Sequence, residues 1–209
     1  MSSLIEKNLR NFGSDYLTAS ELAALLPIGE NARHAQVKRA LAQGNLIRLK
    51  RGIYRRAGYL EQSKPHPFEM SHYLLWPSYV SLESALSYHG LIPEAIYETT
   101  CVTSLRAQTI HNQFGNFVYH ALPQKNFFID VKRLDELGAT FNIANPWKAL
   151  CDYVYCYKKN WNSLEPVIES LRIDITLLPK LTNKLGCELT SFYKSKRVSL
   201  FLIGVLDER

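Results

Sequence analysis

Leu4, Ile5 and Leu9 recur at helical spacing and stop at Asn11-Phe12-Gly13-Ser14, where glycine and asparagine favour a break, so a first short helix is predicted there. Leu22, Leu25 and Leu26 resume the helical period after Thr18-Ala19-Ser20-Glu21. That segment is a capping box, in which Thr18 accepts from the Glu21 amide and the Glu21 side chain reaches back. The second helix ends at Pro27, because proline lacks a donor and disfavours helix in the residue before it. After the connector Pro27-Ile28-Gly29-Glu30, Asn31 is the expected N-cap of a third helix, Ala32 to Gln43, and Gly44 its expected left-handed C-cap. Leu46-Ile47-Arg48-Leu49 and Ile53-Tyr54-Arg55-Arg56 then flank a Lys50-Arg51-Gly52 turn, which predicts a basic hairpin. Three short helices, the last two joined by a tight turn, followed at once by a hairpin, predict a winged helix-turn-helix over residues 1–58.

The polar, proline-containing stretch 59–67 reads as a linker, and residues 68–209 as a larger mixed α/β domain ending in helices. Its predicted elements are helices at Phe68–Leu75, Leu82–His89, Trp147–Tyr157, Leu164–Leu171 and Leu177–Leu185. Tyr79-Val80-Ser81 connects the first two of these helices, and the strand-like segments are Thr99–Thr103, Phe117–Leu122 and Phe127–Val131. The fold class is α+β. Hydrophobic residues at 46% and charged residues at 21% suit a globular protein, and the longest apolar stretch, Val198–Leu206, is far shorter than the ~20 residues of a membrane span. With charges inside its first ten positions and no apolar core, the N-terminus does not read as a secretory signal, so a cytoplasmic protein with no membrane partner is expected.

Charge sharpens the first domain. Residues 1–56 hold ten Lys/Arg against four Asp/Glu, which is the whole formal net charge of +6, while the remainder balances at fifteen of each sign. No acid occurs from Asn31 through Leu60, so a surface built there attracts phosphates with little internal neutralisation. On a helical wheel, Val37, Ala40 and Leu41 face inward, and Ala32, Ala35, Gln36 and Arg39 face outward, flanked by Lys38. Gln36 and Arg39 are the expected base readers, because a glutamine can bond an adenine edge and an arginine a guanine edge in bidentate fashion. Arg33 and Lys38 on the helix, and Arg48, Lys50, Arg51 and Arg55 on the hairpin, are the expected phosphate or minor-groove contacts. Double-stranded DNA is the partner this implies.

Other chemistry is sparse. Cys101, Cys151, Cys156 and Cys187 form no C-x-x-C pair and read as buried thiols, the histidines are scattered, and neither a metal nor a cofactor site is expected. Phe12-Gly13-Ser14-Asp15 resembles a nucleotidyltransferase Gly-Ser, yet no carboxylates spaced by one residue follow to hold magnesium. Asp130 and Lys132, one residue apart on a predicted strand, suggest a metal-dependent nuclease as an alternative that still needs another acid. A ligand-responsive or stand-alone repressor is a further alternative, resting on the aromatics Tyr73, Trp76, Tyr79, Tyr88, Phe117 and Tyr119, which are otherwise expected in the core. No catalytic arrangement is expected.

Three segments resemble the AbiEi-type antitoxins of abortive-infection, type IV toxin-antitoxin systems. The hairpin Asn45-Leu46-Ile47-Arg48-Leu49-Lys50-Arg51-Gly52-Ile53-Tyr54 is similar to that family's wing, with its basic residue, glycine, aliphatic and tyrosine in order. Tyr79-Val80-Ser81-Leu82-Glu83-Ser84-Ala85-Leu86-Ser87-Tyr88-His89-Gly90-Leu91-Ile92-Pro93 resembles the opening of its C-terminal domain, a Ser-Ala-Leu helix ending in His-Gly-Leu. Ile143-Ala144-Asn145-Pro146-Trp147-Lys148-Ala149-Leu150-Cys151-Asp152 resembles a late helix start, with Trp147 where an acidic residue is more usual. The resemblance spans roughly Asp15 to Leu206. It implies an autorepressor that binds inverted repeats in its own promoter through the N-terminal domain. It also implies that the C-terminal domain counteracts a nucleotidyltransferase-type toxin, without requiring a stable complex. His89 reads independently as a structural residue bonding the last carbonyls of its helix, Pro146 as a helix start and Trp147 as a packing anchor.

Overall fold

A computed structural model of the chain describes residues 12–57, 65–93, 97–122, 125–136 and 138–208. The predicted first helix, around Leu4–Leu9, lies outside the described residues, as does most of the predicted linker. The chain is mixed α+β, with eight helices and two sheets among the described residues, and divides into two compact units, the second opening at His66.

In the first unit, β1 (Tyr16–Thr18) leads into α1 (Ala19–Leu25), then α2 (Glu30–Ala42), β2 (Leu46–Lys50) and β3 (Ile53–Arg56). The predicted capping box is present: the Glu21 amide donates to Thr18 Oγ1 at 3.1 Å, and the Thr18 amide donates to Glu21 Oε2 at 2.6 Å. α2 starts earlier than its Asn31 cap predicted, at Glu30 with Gly29 as N-cap and no side-chain cap. Gly44 ends it in the left-handed region, φ 73°, with the Asn45 amide donating back to Ala40 O at 2.8 Å. β1 is an addition to the prediction. It makes β3 the middle strand of an antiparallel sheet ordered β1-β3-β2, with Leu17 opposite Tyr54 and Arg48 opposite Tyr54 on the other side. Leu17, Leu22, Leu26, Val37, Ala40 and Leu46 form the small core, with Leu41 and Tyr54 packed against it.

The second unit is built on a six-stranded sheet ordered β6-β7-β5-β4-β9-β8. Its strands are β4 (Ser78–Val80), β5 (Glu98–Thr103), β6 (Gln108–Asn112), β7 (Gly115–Ala121), β8 (Val131–Glu136) and β9 (Ala139–Ala144). β4 pairs antiparallel with β5 and parallel with β9, β5 pairs parallel with β7, and β8 pairs antiparallel with β9. Its helices are α3 (Pro67–Leu74), α4 (Leu82–Tyr88), α5 (Pro146–Cys156), α6 (Glu165–Leu171), α7 (Asn183–Tyr193) and α8 (Lys196–Asp207). α3 lies against β4 and β9, α4 against β5 and α5, and α8 against α5 and α7. Two predicted elements are displaced: Phe127–Asp130 is a turn rather than a strand, and the helix expected at Leu177–Leu185 begins at Asn183, capped by Thr182 Oγ1 accepting from the Leu185 amide at 3.2 Å.

His72 ties α3 to β9. Its Nδ1 donates to Phe68 O at 2.9 Å and its Nε2 accepts from the Asn142 amide at 3.0 Å, a pattern only the neutral ring satisfies. Burial first, and Arg133 further, hold its pKa below the ordinary 6.5, against the opposing Phe68 carbonyl. The folded state therefore takes up the proton less readily than the unfolded chain. This contribution to stability is full above pH 6.5 and declines as pH falls below it. Urea midpoints measured against pH are expected to fall on the acid side, with a shallower fall in His72→Leu; an equal slope in that variant would remove His72 from the account.

Candidate nucleic-acid interface

α2 carries most of the expected contacts because its inward stripe is held by the core. Val37 and Ala40 are buried and Leu41 is half-buried, which turns Ala32, Ala35, Lys38 and Arg39 outward to solvent. Gln36 is half-buried at the border of that face rather than at its centre. On the hairpin, Arg48 and Arg51 are exposed, and Gly52 (φ 79°) makes the tight tip that presents Arg51. The Ala19 amide donates to Gly52 O at 2.8 Å, so the tip is tied to the start of α1. The hairpin and helix are thus positioned by one small scaffold.

Besides Gln36, three of the eight expected contacts are more enclosed than the sequence suggested. Arg33 is half-buried and one guanidinium nitrogen donates to Ile28 O at 3.2 Å, so it braces the connector between α1 and α2. Lys50 is half-buried, and desolvation pushes its ammonium below the ordinary lysine value. Arg55 is half-buried on the middle strand. Arg56 is paired with Asp15 at 2.9 Å, which neutralises the last basic residue of the run. The uncompensated positive surface therefore centres on Lys38, Arg39, Arg48 and Arg51.

A groove of about 460 Å³ lies between α2 and the hairpin, its polar lining Glu30, Arg33, His34, Lys38, Arg48 and Tyr54. His34 and Tyr54 were missed by the sequence reading, although the i,i+4 spacing of His34 and Lys38 already places both along one side of α2. Glu30 is the one acid lining it, and lies 4.0 Å from His34 Nε2. Phosphate oxygens would meet guanidinium and ammonium donors here with little like charge to repel them.

The second unit holds the most densely bonded polar group, and the sequence reading did not find it. Lys148 and Asp152, one turn apart on α5, are both fully buried and paired at 2.6 Å. Lys148 Nζ also donates to Tyr79 OH at 2.6 Å and Tyr193 OH at 2.7 Å; Ser81 Oγ and Tyr79 OH donate to Asp152 Oδ2 at 2.7 and 3.0 Å, and Tyr193 OH to Oδ1 at 2.5 Å. Every side chain is enclosed and mutually satisfied, so the group fastens α5 to β4 and α7. Asp130 and Lys132 do not share a strand face: Asp130 sits in the turn before β8 with φ 50°. Its Oδ1 accepts from Asn145 Nδ2 at 2.7 Å, which holds the start of α5, and burial raises its pKa against that bond. Among the described residues no three His, Cys, Asp or Glu are grouped as a metal would need.

Other expectations shift for the same reason, that neighbours come from distant segments. The His89 side chain bonds Ala144 O of β9 through Nε2 at 2.8 Å rather than the last carbonyls of its own helix, where the backbone amide donates to Ala85 O at 3.0 Å. Trp147 is buried with its indole N–H on Pro179 O at 2.7 Å. Tyr79, Phe117 and Tyr119 are core, whereas Tyr73, Trp76 and Tyr88 are exposed. Cys101 and Cys151 are buried, but Cys156 is half-buried and Cys187 exposed. Among the described residues no helix is long and apolar enough to cross a membrane. No family model matches the chain, and no curated protein matches it.

Proposed function

We propose that the first unit is a winged helix-turn-helix that binds duplex DNA, with α2 in the major groove and the β2–β3 hairpin as the wing on the adjoining backbone. The observation that carries this is the acid-free run from Asn31 to the hairpin, folded so that Lys38, Arg39, Arg48 and Arg51 emerge on neighbouring elements. On this reading Arg39 and Gln36 read base edges, Lys38, Arg48 and Arg51 hold phosphates, and Arg33, Lys50 and Arg55 brace the scaffold while adding to its field. A gel shift with promoter DNA tests it. A protomer neutralising about six phosphates loses roughly a thousandfold in affinity between about 50 and 200 mM salt. A flat salt response would overturn the reading. Arg39→Ala is expected to relax preference among operator sequences by about tenfold, whereas Arg51→Ala weakens every sequence alike.

The resemblance of the three segments supports the wider role: an antitoxin that represses its own operon in the cytoplasm through promoter inverted repeats. The second unit then counteracts a nucleotidyltransferase-type toxin. No catalytic step is assigned to this chain. A nucleotidyltransferase reading frame beside the gene, with toxicity relieved by co-expression of this chain, is the expected finding. Growth arrest that the chain does not relieve would leave a stand-alone repressor.

A further inference from the structure

Among the described residues β8 is an edge strand: its one sheet neighbour there is β9, so one row of its backbone groups has no strand partner among them. Its sequence from Lys132 to Glu136 is Lys-Arg-Leu-Asp-Glu, two bases, one aliphatic residue, two acids. All four charged side chains are exposed and Leu134 is half-buried. Among the described residues none of the four lies in an ion pair. Tyr88 OH donates to Glu136 Oε2 at 2.5 Å, which steadies that carboxylate at the end of the strand and leaves its charge in place.

This order of signs is self-complementary in one arrangement. Set a second copy of the strand antiparallel to the first, with Leu134 opposite Leu134: Lys132 then faces Glu136 and Arg133 faces Asp135, twice each. Directly opposite residues in an antiparallel pair share a face and sit close enough for opposite charges to attract. A parallel copy in register would set Lys132 beside Lys132 and Asp135 beside Asp135. Sliding the antiparallel pair by one residue would set Arg133 against Leu134 and Val131 against Glu136 and keep only Lys132 against Asp135, so that two opposite-charge pairs stand where the centred register has four. The sign pattern therefore selects both direction and register, which a flat apolar edge cannot do. Charges of a single sign would have been enough to keep the edge from pairing at all; two blocks of opposite sign repel a parallel copy and attract an antiparallel one.

We propose that β8 is a homodimer interface, joining two copies of this chain edge to edge about a two-fold axis at Leu134, so that their six-stranded sheets run on as one. The contact is isologous, with each copy donating the same strand, and closes at two chains, because β8 is used up on both sides. The partner is a second copy, chosen by the chemistry of the strand itself, and the proposal does not depend on the DNA reading.

Sedimentation equilibrium of the full chain without DNA is the test, and a mass twice the 24.0 kDa of the chain is expected at micromolar concentration. Asp135→Lys/Glu136→Lys makes the edge wholly basic and Lys132→Glu/Arg133→Glu makes it wholly acidic. Each is expected to sediment as a monomer, and a one-to-one mixture of the two is expected to regain the dimer mass. Recovery on mixing is beyond two misfolded proteins, so it separates lost pairing from lost structure. A monomeric wild type, a dimer surviving in either double variant, or a mixture that stays monomeric would each overturn the interface.

Discussion

Asp152→Ala is expected to remove about 3–5 kcal/mol from the stability of the second unit, because it leaves the Lys148 ammonium buried with its anion gone. Domains are typically stable by only about 5–15 kcal/mol, so the variant stands near the edge of folding. The two phenol oxygens and the rings of Tyr79, Phe192 and Tyr193 around Lys148 Nζ, at 4.7 to 5.0 Å from centroid, soften the loss but carry no formal charge. Tyr193→Phe deletes one hydrogen-bonding hydroxyl and keeps the ion pair, so about 1 kcal/mol is expected there. In the double variant Lys148→Met/Asp152→Leu both charges leave together, and the loss is expected to fall well short of the two single losses added. Urea midpoints for wild type, Asp152→Ala, Tyr193→Phe, the double variant and its two single components Lys148→Met and Asp152→Leu check the ranking; Asp152→Ala unfolding at the wild-type midpoint would sink it. The same enclosure raises the phenols of Tyr79 and Tyr193 well above their ordinary 10.0, through burial first and the Asp152 carboxylate second. A raised acid stays protonated in the folded chain while the unfolded chain ionises. Stability is thus full below pH 10.0 and lost above it.

That network was hidden in the sequence for a physical reason. A Lys and an Asp four residues apart on a helix ordinarily form an exposed pair, since both types are seldom fully buried. The signal against that reading was the company they keep: Trp147, Ala149, Leu150, Cys151 and Val154 leave α5 almost no polar face to solvate them. What was legible was local. The Thr18–Glu21 cap, the Gly44 stop and the Gly52 turn each depend on residues within a few positions of one another, and all three are present as read. β1 was not legible, because Tyr16–Thr18 becomes a strand only by pairing with β3, and three residues carry no period. β8 was missed for its charges, which lack the alternation of a half-buried strand. α7 was set too early because Leu177, Leu178 and Leu181 mimic helical spacing in what is irregular chain, while Thr182 offered a proper cap. In the candidate interface, helix phase fixed the outward face, but the bracing of Arg33 and the enclosure of Arg55 come from partners outside their own elements.

Gly204→Ala tests tertiary packing against local preference with opposite signs. Gly204 lies inside α8, where propensity alone makes alanine better by about 1 kcal/mol. A Cβ built there would stand 1.7 Å from the backbone oxygen of Asn162 and 2.7 Å from its carbonyl carbon, which is overlap with main chain rather than with a side chain that could swing aside. Neither partner is free to retreat. The loop is anchored by Trp161, stacked on Tyr153 with ring centroids 5.5 Å apart, and by the Leu164 amide donating to Glu208 Oε2 at 3.2 Å. The helix is anchored by Phe201, Leu202 and Val205, all buried. Overpacking of this kind costs about 1–3 kcal/mol and more where backbone must move, so the net expected loss is about 3 kcal/mol in spite of the gain in propensity. Leu200→Ala, on the exposed face of the same helix, is expected to change stability by only about 0.5 kcal/mol. Equilibrium unfolding of both variants decides it: a Gly204→Ala protein as stable as wild type would mean that α8 does not lie against the Asn162 main chain.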